Sequence, residues 1–395
     1  MRVLYVNQTG QVSGAERSLL ALLKGLAGAV EPLVACPEGP LAVLAREAGM
    51  EWRPIAGTQA SFRLHPLHTA RGVLGIAHSA LDLRRLVAEI RPDVVHANTT
   101  RAALIALLGQ RRDGPPVLAH VRDWSPEGRL SRLVHRTIAR RATAIVANSA
   151  YVAAQFDGLR PRLPVRVIHN PVDLSRFDPA TANGAATRRE LGLPGEAIVL
   201  AVIAQLTPWK GQDDAVRILA ELPSGGTPRF LLLVGSAKFS GAGTQYDNVA
   251  YERDLRALVA ERGVGDRVLF LGERADVADL LAATDVLLLP SWREAFGRIA
   301  IEAMAMAVPV AATEEGGPAE IVREGVDGLL LPPRRPDEWA RALAPLLDDP
   351  DRRAAMGAAA RARAEDFDLP RHAATVLALY RDLARRRGLK QGLLP

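Results

Sequence analysis

Short apolar runs alternate with helical patterns along almost the whole chain, and this alternation restricts the fold more than any other feature. In the first half, runs rich in Val, Ile and Leu predict strands at residues 2–6, 31–35, 93–97, 116–120, 143–147 and 165–168. Helical patterns lie between them, most clearly at 15–27, 79–90, 100–109 and 129–141. Repeated strand–helix–strand units at this spacing predict parallel sheets covered by helices on both faces. Such sheets bind ligands beyond the carboxyl ends of their strands.

A polar stretch divides the alternation into two halves. The segment Asp178–Gly184 contains Pro and Gly and is typical of an interdomain linker. Beyond it, strands are predicted at 197–204, 229–234, 267–271, 285–289, 309–312 and 327–331, with helices at 211–221, 250–262, 275–283, 297–306 and 336–347. We therefore predict an α/β protein of two Rossmann-like, doubly wound domains, 1–175 and 176–371, facing each other across a cleft. A C-terminal helix, about 372–395, should pack back onto the first domain because residues 376–383 carry an apolar stripe at helical spacing.

Composition narrows the class of protein further. The 395 residues are 48% hydrophobic and 24% charged, which is the mix of a globular chain. Cys36 is the only cysteine, so an intrachain disulfide and a cysteine metal cluster are excluded. The N-terminus has no signal-peptide pattern, and no apolar run approaches the roughly 18–20 residues of a membrane span. We expect a cytoplasmic protein, peripheral to a membrane at most, with no nucleic-acid partner.

The segment from Pro290 to Ala305 joins a predicted buried strand to a run of strong helix formers through a turn that contains Gly297. A strand, a glycine turn and a helix start present backbone N–H groups to an anion, usually a phosphate. Glu294 and Glu302 bracket this transition, and carboxylates beside a phosphate site suit hydroxyl groups. We place Glu294 in the loop and Glu302 two turns into a largely buried helix. The pattern predicts a nucleotide-sugar site.

Three further loops carry candidate residues, each with a purely structural alternative. Gly14 opens the first helix, where a glycine favours either a phosphate contact or a simple turn. His120 ends a predicted buried strand and is either a core histidine or a ligand contact at the sheet edge. Lys210 lies between a strand and a helix and either reaches a diphosphate or is a solvated surface lysine.

Other chemistries are disfavoured by what the sequence lacks. Neither half begins with a Gly-x-Gly-x-x-Gly turn, which argues against a dehydrogenase. No His-x-x-x-His or cysteine cluster exists, and the acidic pairs Asp349/Asp351 and Asp366/Asp368 fall in C-terminal helical regions, so we expect no metal site.

Residues 129–141 form a basic amphipathic helical pattern. We place Leu130, Leu133, Val134, Thr137 and Ile138 on its apolar side, opposite Arg129, Arg132, Arg136 and Arg140. This pattern suits either an ordinary helix packed on its sheet or a helix that contacts an anionic membrane surface.

Taken together, these motifs resemble the family-four nucleotide-sugar glycosyltransferases, which have the GT-B architecture of two Rossmann-like domains. The most specific match is Glu294-x7-Glu302 within the segment 290–305, followed by Pro309-Val, Gly316-Gly317, Glu320-Ile-Val and Asp327-Gly-Leu. Weaker matches extend the resemblance over nearly the whole chain: Ser13-Gly-Ala-Glu16, Asp93-Val-Val-His96, His120, Asn170-Pro-Val-Asp173, Lys210-Gly211, Gly235 and Leu271-Gly272.

The resemblance implies a role for each matching residue of the second domain. Lys210 would neutralise the diphosphate leaving group, Glu294 would bind donor-sugar hydroxyls, and Glu302 would bind the ribose. The backbone N–H groups of Phe296, Gly297 and Arg298 would meet the sugar or the phosphates, and Arg274 falls where the base is usually held.

From the first domain, the resemblance implies that the backbone at Gly14 approaches the diphosphate. His120 would contact the sugar and steady positive charge at its anomeric carbon. Transfer would retain the anomeric configuration and require no metal ion or other cofactor.

Three positions depart from the family pattern. Ala204-Gln205 stands where Gly-Arg usually precedes the phosphate-binding lysine, so Gln205 can offer a hydrogen bond to phosphate but no charge. Ser13-Gly14 replaces a double glycine, and Arg298 replaces an apolar residue and could restore a charge.

The resemblance therefore implies a retaining hexosyltransferase that uses a nucleoside diphosphate sugar. Its acceptor would be a glycan, a lipid-linked glycan or a small molecule. Two alternatives stay open at this point: a sugar phosphorylase or nucleotide-sugar epimerase built on the same architecture, and a sugar-nucleotide-binding subunit without turnover.

Overall fold

The computed structural model describes residues 1–58, 66–111, 113–223, 226–238 and 246–391, with the side chains of 66–71 and 388–391 left aside. The chain divides into two compact units. Unit 1 comprises Met1–Pro171 together with Leu369–Pro395, and unit 2 comprises Val172–Asp368. Residues 392–395, the end of the predicted C-terminal helix, lie outside the described residues.

Unit 1 is built on a seven-stranded parallel sheet in the order β3-β2-β1-β4-β5-β6-β7. Its elements are β1 (Arg2–Val6), α1 (Gly14–Gly25), β2 (Glu31–Cys36), α2 (Pro40–Glu47), β3 (Glu51–Pro54), α3 (Pro66–Ile90), β4 (Val94–Ala97), α4 (Thr100–Gly109), β5 (Val117–Val121), α5 (Arg129–Arg141), β6 (Ala144–Ala147), α6 (Ala150–Ala153) and β7 (Arg166–Val167). The order reverses between β1 and β4, so this is a doubly wound sheet.

The six strands predicted for this half are present, and β3 is the strand that the sequence analysis missed. Its sequence, Glu-Trp-Arg-Pro, has no aliphatic run because β3 lies at the edge of the sheet. Pro54 is tolerated at the end of an edge strand, where no ladder donor is required of it. The central strands β1, β4 and β5 are buried over nearly their whole length.

The helix Leu369–Gln391, here called the C-terminal helix, belongs to unit 1 and packs on α1. Its residues Val376, Leu379 and Leu383 lie in one buried cluster with core side chains of α1. The approach is close at Gly25, where an added Cβ would lie 2.9 Å from the Cβ of Ala373. The C-terminal helix therefore completes the core of unit 1.

Unit 2 holds a six-stranded parallel sheet in the order β10-β9-β8-β11-β12-β13. Its elements are α7 (Gly184–Glu190), β8 (Ile198–Ile203), α8 (Gln212–Glu221), β9 (Arg229–Val234), α9 (Asn248–Glu261), β10 (Val268–Gly272), α10 (Val277–Ala282), β11 (Val286–Leu289), α11 (Arg298–Ala305), β12 (Val310–Thr313), α12 (Pro318–Ile321), β13 (Gly328–Leu331), α13 (Pro336–Leu347) and α14 (Pro350–Ala364). The order reverses between β8 and β11, which marks the edge where a doubly wound sheet binds ligands.

Helices cover both faces of the second sheet. One buried cluster joins β8 and β9 to α8 and α13, with Trp339 as its largest fully buried side chain. A second cluster joins β11 and β12 to α11 and α14 on the other face. The continuous apolar strands that the sequence shows in this half are thus explained by burial on both sides.

Gly184 provides a test of the packing in unit 2. A Cβ at this position would lie 2.2 Å from the backbone oxygen of Ala282 at the end of α10. We expect Gly184→Ala to lower the free energy of unfolding by about 1–3 kcal/mol, because backbone cannot move aside as a side chain does. Gly265→Ala is the matched control, since nothing lies within 4 Å of its added Cβ. Urea unfolding followed by circular dichroism compares the two, and equal midpoints would contradict the packing described here.

Candidate functional site

Two loops of unit 2 meet where the strand order reverses. The loop after β8 carries Lys210 and the loop after β11 carries Glu294. Gly211, at φ +70°, touches the second loop so closely that a Cβ there would lie 2.1 Å from the Pro290 oxygen. The backbone N–H of Trp292 donates to the Trp209 oxygen at 2.9 Å. Backbone contacts therefore hold the two loops together.

Lys210 and Glu294 form an ion pair at this edge. Lys210 Nζ bonds to Glu294 Oε2, and Ser291 Oγ donates to the same oxygen at 3.2 Å. Only 17% of the lysine side chain and 9% of the glutamate side chain are exposed. Lys210 Nζ also lies 4.1 Å from the ring centroid of Trp209, a cation–π contact. The sequence analysis named the lysine and the glutamate and missed Ser291 and Trp209, which flank them in sequence.

A double glycine supports the backbone of Glu294. Gly316 has φ +92°, and a Cβ there would lie 2.1 Å from the Glu294 oxygen. The N–H of Gly317 donates to that oxygen at 2.9 Å, and a Cβ on Gly317 would lie 2.4 Å from the Phe296 Cα. Only glycine fits at both positions, so Gly316-Gly317 acts as a support for the loop that presents Glu294.

Helix α11 starts beside Glu294. Gly297 caps it in the left-handed conformation at φ +88°, and Phe296 anchors the turn in the core with its ring 6.2 Å from that of Phe367. The Phe296 side chain thus packs in the core of unit 2. The glycine turn directs the start of α11 to the edge where β8 and β11 end.

Glu302 is buried in α11, a little over one turn from its start and not two turns as the sequence analysis expected. Its partner is Arg298, four residues earlier, which bonds to Glu302 Oε1. The burial of this carboxylate is therefore compensated within the helix. Two ion pairs, Lys210–Glu294 and Arg298–Glu302, therefore lie at this edge.

Gln205 and Arg274 occupy neighbouring loops of unit 2. The side-chain Nε2 of Gln205 donates to the backbone oxygen of Lys238 at 3.1 Å. The backbone oxygen of Gln205 accepts from Gln212 Nε2 at 2.8 Å. Arg274 pairs with Asp276 at 2.6 Å and with Glu190 at 2.8 Å. Hydrogen bonds to these two carboxylates raise the pKa of Arg274. The side chains of Gln205 and Arg274 thus both bond to neighbouring residues of unit 2.

Gly14 and His120 belong to unit 1. Gly14 is exposed at the start of α1, and nothing lies within 4 Å of a Cβ added there. Ser13 and Glu16 form a capping box around it, in which Glu16 accepts from the Ser13 N–H at 3.0 Å. His120 lies inside β5 with none of its surface exposed.

Helix α5 has the predicted bounds, but its faces differ from the expectation. Its buried residues are Ser131, Val134, His135, Ile138 and Ala139. Leu133, which we placed on the packed apolar side, is 59% exposed and lies on the same side as the exposed arginines. Burial follows the 131–135–138 stripe because those positions repeat at helical spacing over the sheet.

No group of three His, Cys, Asp or Glu side chains among the described residues could hold a metal ion. Within that same part of the chain, no helix is both long and apolar enough to cross a membrane.

Asp214, in the first turn of α8, is a buried carboxylate next to the candidate site. Burial, with the neighbouring Asp213, raises the pKa of Asp214 from 3.8 to about 6. Arg217 and Arg334 approach its two oxygens at 3.2 and 3.5 Å. The protonated acid is thus favoured more by the folded than by the unfolded state.

The free energy of unfolding should therefore fall as the pH rises from 4 to 6, because the native state binds more protons than the unfolded chain in that window. Asp214→Asn should remove up to about 3 kcal/mol of this decline. Urea titrations at several pH values measure it. Asp276→Asn is the control. Hydrogen bonds from Arg274 lower the pKa of Asp276, so this substitution should change the pH dependence of the free energy of unfolding only below pH 4. Parallel curves for Asp214→Asn and the unaltered protein would contradict the assignment.

Comparisons with known proteins cover both units. A model described as "Glycosyltransferase Family 4" matches residues 12–176, and one described as "Glycosyl transferases group 1" matches residues 185–363. A D-inositol 3-phosphate glycosyltransferase of Actinosynnema mirum is 33% identical over 308 residues, which are 73% of this chain and 72% of that protein. The enzyme of the same name from Thermobispora bispora is 33% identical over 316 residues, 75% of this chain and 72% of its own.

Solved structures of similar proteins match this chain over almost its full length. Anabaena HepE in complex with UDP is 26% identical, with a TM-score of 0.81 over 97% of this chain and 100% of that one. HepE in complex with UDP-glucose is 27% identical, with a TM-score of 0.80 over 96% of this chain and 99% of that one. WaaG, a glycosyltransferase of lipopolysaccharide biosynthesis, is 19% identical with a TM-score of 0.72 over 96% and 99% of the two chains, and it shares the fold.

Proposed function

The chain belongs to the family-4 glycosyltransferases of the GT-B fold, and on that premise we propose that it moves a hexose from a nucleoside diphosphate sugar to an acceptor with retention of configuration. The observation that carries the proposal is the Lys210–Glu294 pair at the carboxyl ends of β8 and β11. A cation for a diphosphate and a carboxylate for sugar hydroxyls lie side by side there. The HepE complexes with UDP and UDP-glucose support a donor of this class.

Donor binding exchanges the partners of both charges. Lys210 turns from Glu294 to the diphosphate, and Glu294 accepts hydrogen bonds from sugar hydroxyls instead of from the ammonium group. Each charge thereby keeps a partner while the site is partly buried, which avoids the cost of an isolated buried ion. Ser291 Oγ, already bonded to Glu294 Oε2, keeps the carboxylate oriented during the exchange.

The start of α11 completes the donor site. The N–H groups of Phe296, Gly297 and Arg298 face the sugar or the phosphates with the positive end of the helix dipole behind them. Glu302 binds the ribose when Arg298 releases it. Gln205 supplies a neutral hydrogen bond to phosphate, and Arg274 lies beside the base. Cationic help to the leaving group comes from Lys210 and the helix, so we propose that no metal ion is needed.

The chemical step follows from these roles. The bond from the anomeric carbon to the diphosphate oxygen breaks, and a bond from that carbon to the acceptor oxygen forms on the same face. The acceptor proton passes to an oxygen of the departing phosphate. D-inositol 3-phosphate is the first acceptor to assay, because the relatives in Actinosynnema mirum and Thermobispora bispora are named for it.

Lys210 and Glu294 should separate donor binding from transfer. Lys210→Ala should abolish the thermal shift produced by a nucleoside diphosphate, since it removes the cation that meets the phosphates. Glu294→Gln should keep that shift and lose transfer by about 100-fold or more, because one positioned group of this kind supplies roughly 3 kcal/mol. Thermal-shift titrations with UDP, GDP, ADP and dTDP also identify the base.

Lys24→Ala, an exposed lysine of α1, is the control for loss of charge. A full thermal shift in Lys210→Ala, or full transfer in Glu294→Gln, would refute the assigned roles. Release of nucleoside diphosphate only when an acceptor is present distinguishes transfer from epimerisation.

We further propose that α5 contacts an anionic membrane surface. Arg129, Arg132, Arg136 and Arg140 are all exposed, and Leu133 projects among them. An exposed apolar side chain within a basic face suits a headgroup layer, where the arginines meet phosphate and the leucine enters the acyl boundary. This arrangement favours a peripheral contact with the membrane surface.

Vesicle sedimentation tests this face. Arg132→Ala/Arg136→Ala/Arg140→Ala should weaken binding to phosphatidylglycerol vesicles by roughly 100-fold, at about 1 kcal/mol per arginine. Binding should also fall as salt rises. The variant Arg253→Ala/Arg256→Ala/Arg262→Ala removes the same charge from α9 and its end, and serves as the control. Equal binding of both triple variants would show that α5 is not the contact.

A further inference from the structure

A row of buried polar side chains crosses unit 1 and ends at His120. Tyr380, on the C-terminal helix, hydrogen-bonds to His96 Nδ1 on β4. His96 Nε2 lies 3.2 Å from His120 Nδ1 on β5, and Arg122 Nη2 lies 3.1 Å from the same nitrogen. The first three side chains have no exposed surface, and Arg122 has 5%. His96 from β4 and Arg122 from the segment after β5 thus meet at His120 Nδ1, and Tyr380 extends the row through His96.

The chemistry of these groups fixes every proton along the row. A guanidinium group only donates, so His120 Nδ1 must accept from Arg122. His96 Nε2 then carries a proton, because it also faces the lone pair of His120 Nδ1. In a neutral His96, Nδ1 is therefore the acceptor, and the Tyr380 hydroxyl donates to it. The remaining proton of His120 must reside on Nε2.

Both histidines are held in the neutral form. Burial lowers the pKa of His96 and that of His120 well below the ordinary value of 6.5, and the Arg122 charge lowers both further. Arg122 is itself held by two amides: its Nε donates to Asn98 Oδ1 at 2.9 Å, and its Nη1 bonds to Asn170 Oδ1. The guanidinium therefore cannot turn away from His120 without breaking other buried hydrogen bonds.

His120 Nε2 is the last polar atom of the row. It is buried and has no hydrogen-bond partner among the described residues. A buried N–H donor without an acceptor costs free energy, and a ligand oxygen would remove that cost. Since Nδ1 is already occupied, the ring offers no lone pair to a substrate proton.

We propose that Tyr380, His96 and Arg122 are positioning residues that lock His120 in its neutral Nε2–H tautomer, so that His120 donates a hydrogen bond to an oxygen of the sugar substrate and does not act as a base. This inference deepens the proposed function and rests on it for the identity of the ligand. The proton arrangement itself rests only on the contacts within unit 1. A hydroxyl or carboxylate oxygen is the chemical class that this donor recognises.

The tautomer can be measured without any assay of transfer. In protein labelled with ¹⁵N-histidine, long-range ¹H–¹⁵N spectra should show a protonated Nε2 and an unprotonated Nδ1 for His120. Tyr380→Phe removes the donor to His96 Nδ1 and should mix the tautomers of His96, while the Arg122 guanidinium keeps His120 Nδ1 unprotonated. Tyr251→Phe is the control, because it removes a tyrosine hydroxyl that lies in unit 2 and bonds to Asp213. An unprotonated Nε2 in the unaltered protein would overturn the proposal.

Substitution of His120 distinguishes a donor from a base. His120→Gln places an amide N–H near the Nε2 position and has no basic nitrogen, so it should retain transfer within about tenfold of the unaltered enzyme, the value of one neutral hydrogen bond. His120→Ala should lose considerably more. If Gln and Ala are equally inactive while both proteins bind nucleoside diphosphate normally, the donor role is wrong. If no nucleoside diphosphate binds the unaltered protein, the proposed function fails, and the tautomer spectra still decide the arrangement of protons.

Discussion

The parallel pairing of β8 with β11 brings together residues that are far apart in sequence. Strands β9 and β10 continue the sheet on one side of β8, and β12 and β13 continue it beyond β11. The helices that follow β8 and β11 therefore cover opposite faces of the sheet, while the loops that lead to them meet in the space at the carboxyl ends of the two strands. Lys210 and Glu294 occupy that space, and the glycines at 211, 316 and 317 allow the backbones to approach closely enough.

Charge in the candidate donor site is balanced by short-range pairs. Lys210 pairs with Glu294 and Arg298 with Glu302, so the residues proposed to meet a diphosphate carry no excess positive charge before it arrives. Gln205 adds none, and its side chain already bonds to the Lys238 oxygen. Attraction for the donor must then come from rearrangement of existing pairs and from the N–H groups at the start of α11.

Much of the fold follows from the sequence because apolar runs and helical stripes are local signals. The alternation predicts both parallel sheets, and β3 escapes because an edge strand needs no aliphatic run. The site is less accessible to such reasoning. Gly297 and Glu294 are readable as a helix start with a loop carboxylate, yet nothing local shows that Lys210 bonds to Glu294 across 84 positions. Leu133 was misplaced because amphipathic counting gives a stripe but not its exact rotation against the sheet. Likewise, Tyr380 looks like an ordinary core residue until the fold places its hydroxyl against His96.

The C-terminal helix has a consequence for how the protein is made. Its side chains Val376, Leu379 and Leu383 are part of the same core as α1, although the whole of unit 2 separates them in the chain. During synthesis, unit 2 has all of its own residues while unit 1 still lacks one wall of its core. Of the two sheets, the one translated earlier is thus completed later, because the apolar surface of α1 stays uncovered until the C-terminal helix leaves the ribosome.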